Sequence, residues 1–404
     1  MENPIDFQSE ADAIYDELVG WRRDFHRHPE LGFEETRTAR IVADHLSALG
    51  YRVQEGVAKT GVVGLLEGSD PGPVMMLRFD MDALAVQEEN ETDYVSRVPG
   101  KMHACGHDGH VAIGLGLAGL LKRHRSQWAG TIKLVFQPAE EGRGGAAAML
   151  REGVLTNPPV DAVLMLHLAN DLPLGRATVT PGPLMAASDL WELTITGLGG
   201  HGARPHEAVD PFVAGAQVIL SLQTVVSRSV DPLQSAVISV GTARGGNAWN
   251  TIPPQLELCG TIRTFDPEVR ETVLERMEAI VEGVSRATGT HGDLKVISTC
   301  PPVINDLGFT TIIQDAARTV LGADNVRTGE RTMGADDAAF FLNEVPGCYM
   351  FLGAGKTEAS RNYPNHNPRF DFDERALPLG VAILAQAWQL YSQPLVLQRD
   401  FDVV

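Results

Sequence analysis

Residues 102–110 read Met-His-Ala-Cys-Gly-His-Asp-Gly-His, and an apolar, then basic, helix is predicted directly after them over residues 111–125. The stretch places three histidines, a cysteine and an aspartate within nine residues. Imidazole and thiolate are preferred ligands of zinc-like metals. The glycines at 106 and 109 allow the backbone to bend closely around an ion. The stretch therefore predicts a metal-binding loop in front of a helix rather than a chance run of polar residues.

Apolar segments alternate with helical segments on both sides of this loop. Buried strands are predicted over residues 62–66, 74–79, 132–136 and 162–168. Helices with mixed charged and apolar faces are predicted over residues 9–28 and 34–49. Such alternation is typical of an α/β layered domain.

The pattern changes near residue 187. Predicted elements follow in the order strand, helix, strand, strand, helix, strand, over residues 189–196, 211–229, 236–241, 255–264, 267–288 and 293–299. This βαββαβ order is that of a ferredoxin-like unit. The α/β pattern then resumes, with helices at 307–321, 335–342 and 374–391 and a strand at 347–352. We therefore expect a small domain at 187–299 inserted into an α/β/α domain formed by 1–186 and 300–404.

Composition excludes several classes of protein. The chain has 404 residues, of which 44% are apolar and 21% charged, and these fractions are typical of globular proteins. A net charge of −19 disfavours binding to nucleic acid or anionic lipid. Four cysteines without a CxxC pair do not predict a disulfide scaffold. No apolar stretch predicts a signal peptide or a membrane span, so a cytoplasmic location is expected.

Three later fragments carry the same ligand chemistry as the loop. Glu140 and Glu141 follow the strand at 132–136, and His167 stands near the end of the strand at 162–168. In open α/β sheets, active sites gather at the carboxyl ends of strands, so these fragments are expected at one edge. His366 lies among turn-forming residues and can supply a further ligand. A pair of glutamates can also serve only to stabilise a helix N-terminus. Here the cysteine-histidine loop and His167 favour a different interpretation, in which one glutamate is a metal ligand and the other is the general base.

With these residues assembled, the chain resembles the M20 metallopeptidase family, in the branch of hippurate hydrolases, N-acyl-amino-acid amidohydrolases and auxin-conjugate amidohydrolases. The resemblance covers nearly the whole length. It rests on residues 23–32 (Arg-Asp-Phe-His-Arg-His-Pro-Glu-Leu-Gly), 77–84, 102–110 and 136–141, and on the Asn-His pair at 365–366 with Phe370.

The resemblance implies a catalytic domain that binds two divalent metal ions. By motif position the metal ligands would be Cys105, His107, Glu141, His167 and His366. Glu140 would be the general base, and Asp82 would be a carboxylate that orients a ligand histidine. Many members carry His-x-Asp where this chain has Asp80-Met81-Asp82, and this difference leaves the role of Asp80 open.

The resemblance also implies that the inserted domain is a lid and dimerisation domain of a homodimer or homotetramer. His201 matches a histidine that would reach a partner subunit's active site and polarise the scissile carbonyl. Asn250 and Arg263 are candidate substrate contacts, although a surface arginine on a sheet explains Arg263 equally well.

The function expected is hydrolysis of the amide bond of an N-acyl amino acid, such as a hippurate-like compound, an N-acetyl amino acid or a dipeptide. A metal-bridging water would be the nucleophile, and the ligand types suit Zn²⁺, Mn²⁺, Co²⁺ or Ni²⁺. Two alternatives remain open at this point. One is an amidase that uses Cys105 as its nucleophile with His107 or His110. The other is a non-catalytic protein that binds amino acids or peptides on the same scaffold.

Overall fold

The computed structural model describes residues 5–358 and 362–393, so the first four residues of the N-terminus and residues 394–404 of the predicted α/β domain lie outside the described residues. The chain forms two compact units. Unit 1 comprises Met1–Leu184, Ile304–Arg331 and Asp336–Val404, and unit 2 comprises Met185–Val303 and Thr332–Ala335. Sequence reasoning drew the boundaries at residues 186 and 300 and did not anticipate the return segment at 332–335.

The helices of the described chain are α1 (Phe7–Asp12), α2 (Tyr15–Arg27), α3 (Thr36–Ala48), α4 (His107–Arg123), α5 (Gly145–Arg151), α6 (Pro211–Thr224), α7 (Pro267–Thr288), α8 (Leu307–Leu321), α9 (Ala339–Leu342) and α10 (Ala376–Tyr391). The predicted bounds of α7 and α8 agree with these. The helix predicted over 9–28 is instead divided into α1 and α2, and a π-helical turn at Val225–Ser229 follows α6. The helix predicted over 335–342 shrinks to the single turn of α9.

The strands are β1 (Arg52–Val57), β2 (Gly61–Glu67), β3 (Asp70–Asp80), β4 (Ala129–Gln137), β5 (Ala162–Pro173), β6 (Ala177–Thr178), β7 (Gly182–Met185), β8 (Ala187–Thr196), β9 (Gly200–His201), β10 (Ala236–Gly245), β11 (Thr251–Ile252), β12 (Gln255–Thr264), β13 (His291–Cys300), β14 (Val303–Asn305), β15 (Val326–Arg327) and β16 (Gly347–Gly355).

Unit 1 is built on one mixed sheet with the strand order β1-β2-β4-β3-β5-β16-β6-β15. Its centre is parallel, because β3 runs parallel to both β4 and β5, and β5 runs parallel to β16. Asp80 at the end of β3 is level with Gln137 at the end of β4. The carboxyl ends of these central strands therefore present their side chains at one edge of the sheet, as the α/β prediction required.

His167 lies inside β5 and not at its end, which corrects the position expected from the sequence. The ladder between β5 and β3 ends at the pair Met165 and Arg78, but β5 continues to pair with β16 as far as Pro173. His167 is therefore held on the stretch of β5 beyond its last pairing with β3.

Helix α4 contains the last residues of the predicted metal-binding loop and packs them into the core. It is apolar around its circumference, and Val111, Ile113, Leu117 and Leu120 are fully buried. It packs against β3, β4 and β5 and against α2 and α10. Because α4 begins at His107, this packing fixes the first turn of the helix beside the strand ends.

Unit 2 has the ferredoxin-like topology predicted from the order of its elements. Its antiparallel sheet has the order β10-β12-β8-β13. Alternate residues of β8, including Trp191 and Leu193, join a core with the buried stripe of α7 at Val273, Met277 and Val281. Both helices of the unit contribute to this core, which lies on one face of the sheet. Among all the described residues, no helix is both long enough and apolar enough to cross a membrane.

The core of unit 2 leads to a prediction for two glycines. A Cβ atom on Gly260 would lie 1.9 Å from the carbonyl oxygen of Ser239 and 2.6 Å from the ring of Trp191. We expect Gly260→Ala to lower the free energy of unfolding by about 1–3 kcal/mol, because the strand and ring must shift. Gly283 lies on α7 with open space around its Cβ position, so Gly283→Ala should raise that free energy by about 0.5–1 kcal/mol. Urea denaturation measures both, and equal effects of the two substitutions would contradict this account.

Candidate metal centre

The loop before α4 turns sharply so that Cys105 and His107 can face the strand ends. Gly106 has φ +92°, a left-handed conformation that favours glycine. Both Cys105 and His107 are buried, with 8% and 0% of their surface exposed. The sequence placed His107 in the loop, but it is the first residue of α4.

The imidazole of His107 is held in an orientation that a metal ligand could use. Its Nδ1 atom donates a hydrogen bond of 2.9 Å to the main-chain carbonyl of Asp82. In the neutral ring the lone pair would therefore lie on Nε2, which is buried and has no hydrogen-bond partner. A buried nitrogen without a partner is costly, and a cation at this position would satisfy it.

All five predicted metal ligands of the chain converge on this part of unit 1. Their donor atoms form two groups, within each of which the atoms lie no more than 4.8 Å apart: Cys105, His107 and His167, and Cys105, Glu141 and His366. Cys105 Sγ is 3.6 Å from His167 Nε2, and Glu141 Oε1 is 3.2 Å from His366 Nε2. Sulfur, nitrogen and oxygen donors at these separations fit a divalent transition-metal centre.

His366 reaches the centre from a strained loop. Its φ is +69°, which is uncommon for a residue other than glycine. Its main-chain N–H donates to the carbonyl of Ala104 at 2.7 Å, and the side chain of Asn365 lies 3.5 Å from Cys105 Sγ. The hydrogen bond to Glu141 raises the pKa of His366. The loop is thus tied directly to the segment that carries Cys105.

Glu140 lies at the same centre as Glu141, in a group with His107 whose donor atoms are within 4.8 Å of one another. Burial, followed by the nearby carboxylates of Asp336 and Glu141, raises the pKa of Glu140 well above its ordinary value. A half-buried carboxylate that holds a proton readily suits general acid–base chemistry.

Asp82 acts chiefly on the segment that carries the two glutamates. Its carboxylate oxygens accept the main-chain N–H groups of Glu140 and Glu141, both at 3.0 Å. The carboxylate is 3.5 Å from His107 Nδ1, so the shorter bond to that histidine comes from the main-chain carbonyl. Asp82 thus contacts both His107 and the turn that carries Glu140 and Glu141. The hydrogen bonds of its carboxylate go to that turn and not to the histidine that the sequence analysis expected it to orient.

A cluster around Arg78 was not found from the sequence. Arg78 is 2% exposed and donates to three carboxylates, those of Asp80, Asp336 and Asp337. Burial raises the pKa of Asp337 to about 8 despite this contact. The signal in the sequence was the acidic pair at 336–337, one of several such pairs, which periodicity assigned to a helix. The side chain of Asp336 caps the N–H of Ala338, and α9 starts only after it.

Asp80, whose role the sequence left open, contacts both Arg78 and a histidine of the predicted loop. Its carboxylate accepts from His110 Nδ1 at 2.6 Å and from Arg78 at 2.6 Å. His110 Nε2 in turn accepts the N–H of Leu168 at 3.0 Å, so both nitrogens of His110 are occupied. The ring of His110 packs against those of His107 and His167, at centroid distances of 5.5 and 4.6 Å. Asp80 therefore holds a histidine that packs against two ligand candidates.

A second buried arginine supports the other side of the loop. Arg22 is fully buried and donates to Asp108, Asp371 and Glu374. Asp108 follows His107, and Asp371 lies five residues after His366. One guanidinium therefore links the two segments that carry these candidate ligands.

The alternative in which Cys105 is the nucleophile and His110 is its base is not supported by this geometry. Burial raises the pKa of the Cys105 thiol to about 12, so little thiolate is present without a metal. His110 has no free nitrogen with which to act as a base.

The remaining predicted residues belong to unit 2, whereas those of the metal centre belong to unit 1. His201 is exposed on β9 and pairs with Thr251 of β11, and its Nδ1 accepts the N–H of Ala203. The carbonyl of Asn250 accepts the N–H of Gly202 at 2.8 Å, so Asn250 and His201 share one ribbon. Arg263 lies on β12 and is partly exposed.

Comparison with known proteins agrees with this centre. Residues 76–390 match the peptidase family M20/M25/M40, and the chain belongs to this family. It is a metal-dependent amidohydrolase. The family and the class of enzyme predicted from the sequence are thereby confirmed.

Similar proteins include N-acetylcysteine deacetylase of Bacillus subtilis (strain 168), which is 39% identical over 375 residues, or 93% of this chain and 96% of the relative. An IAA-amino acid hydrolase of Arabidopsis thaliana is 39% identical over 376 residues, or 92% and 85%. The crystal structure of the Bacillus subtilis YxeP protein, a dinuclear metal-binding peptidase of the M20 family, has a TM-score of 0.82 and 35% identity and covers 95% of this chain and 100% of that one. These matches confirm the α/β fold.

Removal of one candidate ligand gives a direct test of the centre. We expect Cys105→Ala to lower the affinity for a divalent metal at least about tenfold, because even substitutions beside a ligand cost roughly 10–100-fold. Metal content after dialysis, measured by mass spectrometry, reports this change without an activity assay. Cys259→Ala, in unit 2, is the control and should retain the wild-type metal content. Equal metal content in the two variants would exclude Cys105 as a ligand.

Proposed function

We propose that this chain hydrolyses the amide bond between an acyl group and an amino acid at a centre that binds two divalent cations. The observation that carries the proposal is the convergence of five ligand-bearing side chains beside a glutamate that can move a proton. The ligands are Cys105, His107, Glu141, His167 and His366. Two overlapping groups that share Cys105 support a pair of cations, and the mixed donors suit Zn²⁺, Mn²⁺, Co²⁺ or Ni²⁺.

The residues of the chain divide the chemical work. When bound, divalent cations would acidify a water molecule and polarise the scissile carbonyl. Glu140 accepts a proton from the attacking water as the new C–O bond forms. It then delivers that proton to the amide nitrogen as the C–N bond breaks. The products are a carboxylic acid and an amino acid with a free amine, so atoms and charges balance.

The class of substrate is supported by the names of the relatives. N-acetylcysteine deacetylase and IAA-amino acid hydrolase both describe removal of an acyl group from an amino acid. Hippurate-like compounds, N-acetyl amino acids and dipeptides share that amide and a free carboxylate. Asn250 and Arg263 are the proposed contacts to this carboxylate, since both side chains can donate hydrogen bonds.

Glu140→Gln tests the general base. Gln has almost the same shape but cannot accept the proton, so we expect metal content and fold to be retained while kcat falls roughly 10²–10⁴-fold. Steady-state hydrolysis of a panel of N-acyl amino acids by metal-loaded protein measures this loss. Glu55→Gln, on the exposed part of β1, is the control for a neutralised carboxylate. A Glu140→Gln variant with nearly wild-type kcat would remove Glu140 from this role.

Unit 2 is proposed to be the lid and dimerisation domain, with His201 completing the active site of a neighbouring subunit in a homodimer or homotetramer. The supporting feature is a set of large apolar side chains on its surface, among them Trp249, 98% exposed, Leu233, 92% exposed, and Leu220, 72% exposed. Exposed apolar residues of this size are typical of surfaces that another protein covers. His201 would then stabilise the oxyanion that forms on the carbonyl oxygen.

Mixing two inactive variants tests whether His201 acts between subunits. Glu140→Gln and His201→Ala should each have low activity. In His201→Ala, kcat should fall roughly 10²–10³-fold because an oxyanion donor is lost. If the subunits exchange and each site takes His201 from its partner, a mixed dimer contains one intact site. An equimolar mixture should then recover about a quarter of wild-type activity. No recovery, with exchange verified by tagged subunits, would exclude action between subunits.

A further inference from the structure

The turn that carries Glu140 and Glu141 is held by carboxylates at three successive main-chain amides. The N–H groups of Glu140 and Glu141 donate to Asp82, and the N–H of Ala139 donates to Glu35 Oε1 at 2.8 Å. Ala139 is fully buried and has φ +56°, a left-handed conformation that is unfavourable for alanine. A strained residue persists only where its neighbours hold it in place.

Glu35 stands at a position where its carboxylate would ordinarily cap the N-terminus of a helix. It is the residue before α3, yet its side chain makes no capping bond. Glu30 performs that task, because its two carboxylate oxygens accept the N–H groups of Arg37 and Thr38 at 2.9 and 2.8 Å. The helix is therefore capped from an earlier residue, and the carboxylate of Glu35 is left to reach across to Ala139.

The surroundings of Glu35 are closed and tightly fitted. Glu35 has no exposed surface, and its second oxygen accepts the hydroxyl of Thr60 at 2.6 Å. Gly32 packs against Ala139 so closely that a Cβ atom would lie 3.0 Å from its Cα. Phe33 and Lys59, near Glu35 and Thr60 in the chain, also have positive φ and contact each other, ring to ammonium, at 4.5 Å. The strained turns at Phe33 and Lys59 thus lie near the strained residue Ala139, which precedes Glu140.

We infer that Glu35 is a positioning residue for the reaction, which holds the amide of Ala139 so that the carboxylate of Glu140 stays aimed at the candidate metal centre. This inference rests on the proposed function of Glu140. Without an acceptor, the buried N–H of Ala139 would be unsatisfied, and its left-handed conformation would relax toward a common one. Glu140 is the next residue, so the change would rotate its side chain away from His107. Displacement of a catalytic group by about 1 Å can cost 10²-fold in rate.

Two substitutions of similar shape separate the hydrogen bond from the packing. Glu35→Gln keeps an acceptor oxygen for Ala139, whereas Glu35→Met fills the space without one. We expect kcat of Glu35→Met to fall about tenfold to a hundredfold while KM stays within about threefold, since substrate binding is unchanged. Glu35→Gln should retain most of kcat, and both variants should hold the wild-type amount of metal. Equal loss in Gln and Met variants would overturn the inference.

Thr60→Val is the matched control within the same pocket. It removes the other partner of Glu35 but leaves the bond to Ala139, so kcat should be close to wild type. A loss as large as that of Glu35→Met would show that general packing, not the Ala139 amide, is responsible. If Glu35→Met does not fold, Glu35→Asp gives the same comparison with Glu35→Gln, because its carboxylate is one methylene too short to span both partners.

Hydrogen–deuterium exchange of metal-free protein supplies a readout that does not depend on activity. The amides of residues 139–141 should exchange at least about tenfold faster in Glu35→Met than in wild type or Glu35→Gln. Unchanged exchange in Glu35→Met would overturn the inference. A wild-type protein that hydrolyses no N-acyl amino acid would instead refute the proposed function, so the two failures are distinguishable.

Discussion

The metal centre depends on two buried arginines that neutralise a dense group of carboxylates. Each guanidinium donates to three of them: Arg22 to Asp108, Asp371 and Glu374, and Arg78 to Asp80, Asp336 and Asp337. Burial of an unpaired charge is prohibitive, and removal of one partner from a buried pair costs about 3–5 kcal/mol. One cluster adjoins His107 through Asp108 and the other through Asp80. The two guanidinium groups therefore offset the mutual repulsion of the buried carboxylates that surround the candidate ligands.

Two residues with a strained backbone lie where the chemistry is proposed. Two of the residues with positive φ that are not glycine, Ala139 and His366, are a neighbour of the candidate base and a candidate ligand. Each is held by a hydrogen bond from its own N–H, to Glu35 and to Ala104 respectively. Left-handed residues cost energy that only a well-packed surrounding can offset. The strained conformations thus cost some local stability, and they fix the directions of the Glu140 and His366 side chains.

Local sequence patterns were sufficient for several of the longer helices and strands, and they singled out the candidate ligands. Helix α7 and strand β12 were predicted with their observed bounds, because long amphipathic or alternating segments with proline and glycine boundaries are locally determined. Contacts across large separations were not predictable in this way. Arg78 and Asp336 are 258 residues apart in the chain, and nothing in the periodicity of either segment indicates the other. Glu35 was missed for the same reason, since its place at a helix start conceals a bond to Ala139 in a distant turn.

The buried thiol of Cys105 affects the binding of metal to the centre rather than the turnover of substrate. Burial raises its pKa to about 12, yet a metal binds cysteine only as the thiolate. On the proposed ligand set, every loading event must then expel this sulfur's proton into solvent. Apparent affinity would weaken about tenfold for each unit of acidification, because protons and cations compete for the same atom. Mild acid would in this way strip the ions without requiring any movement of the backbone.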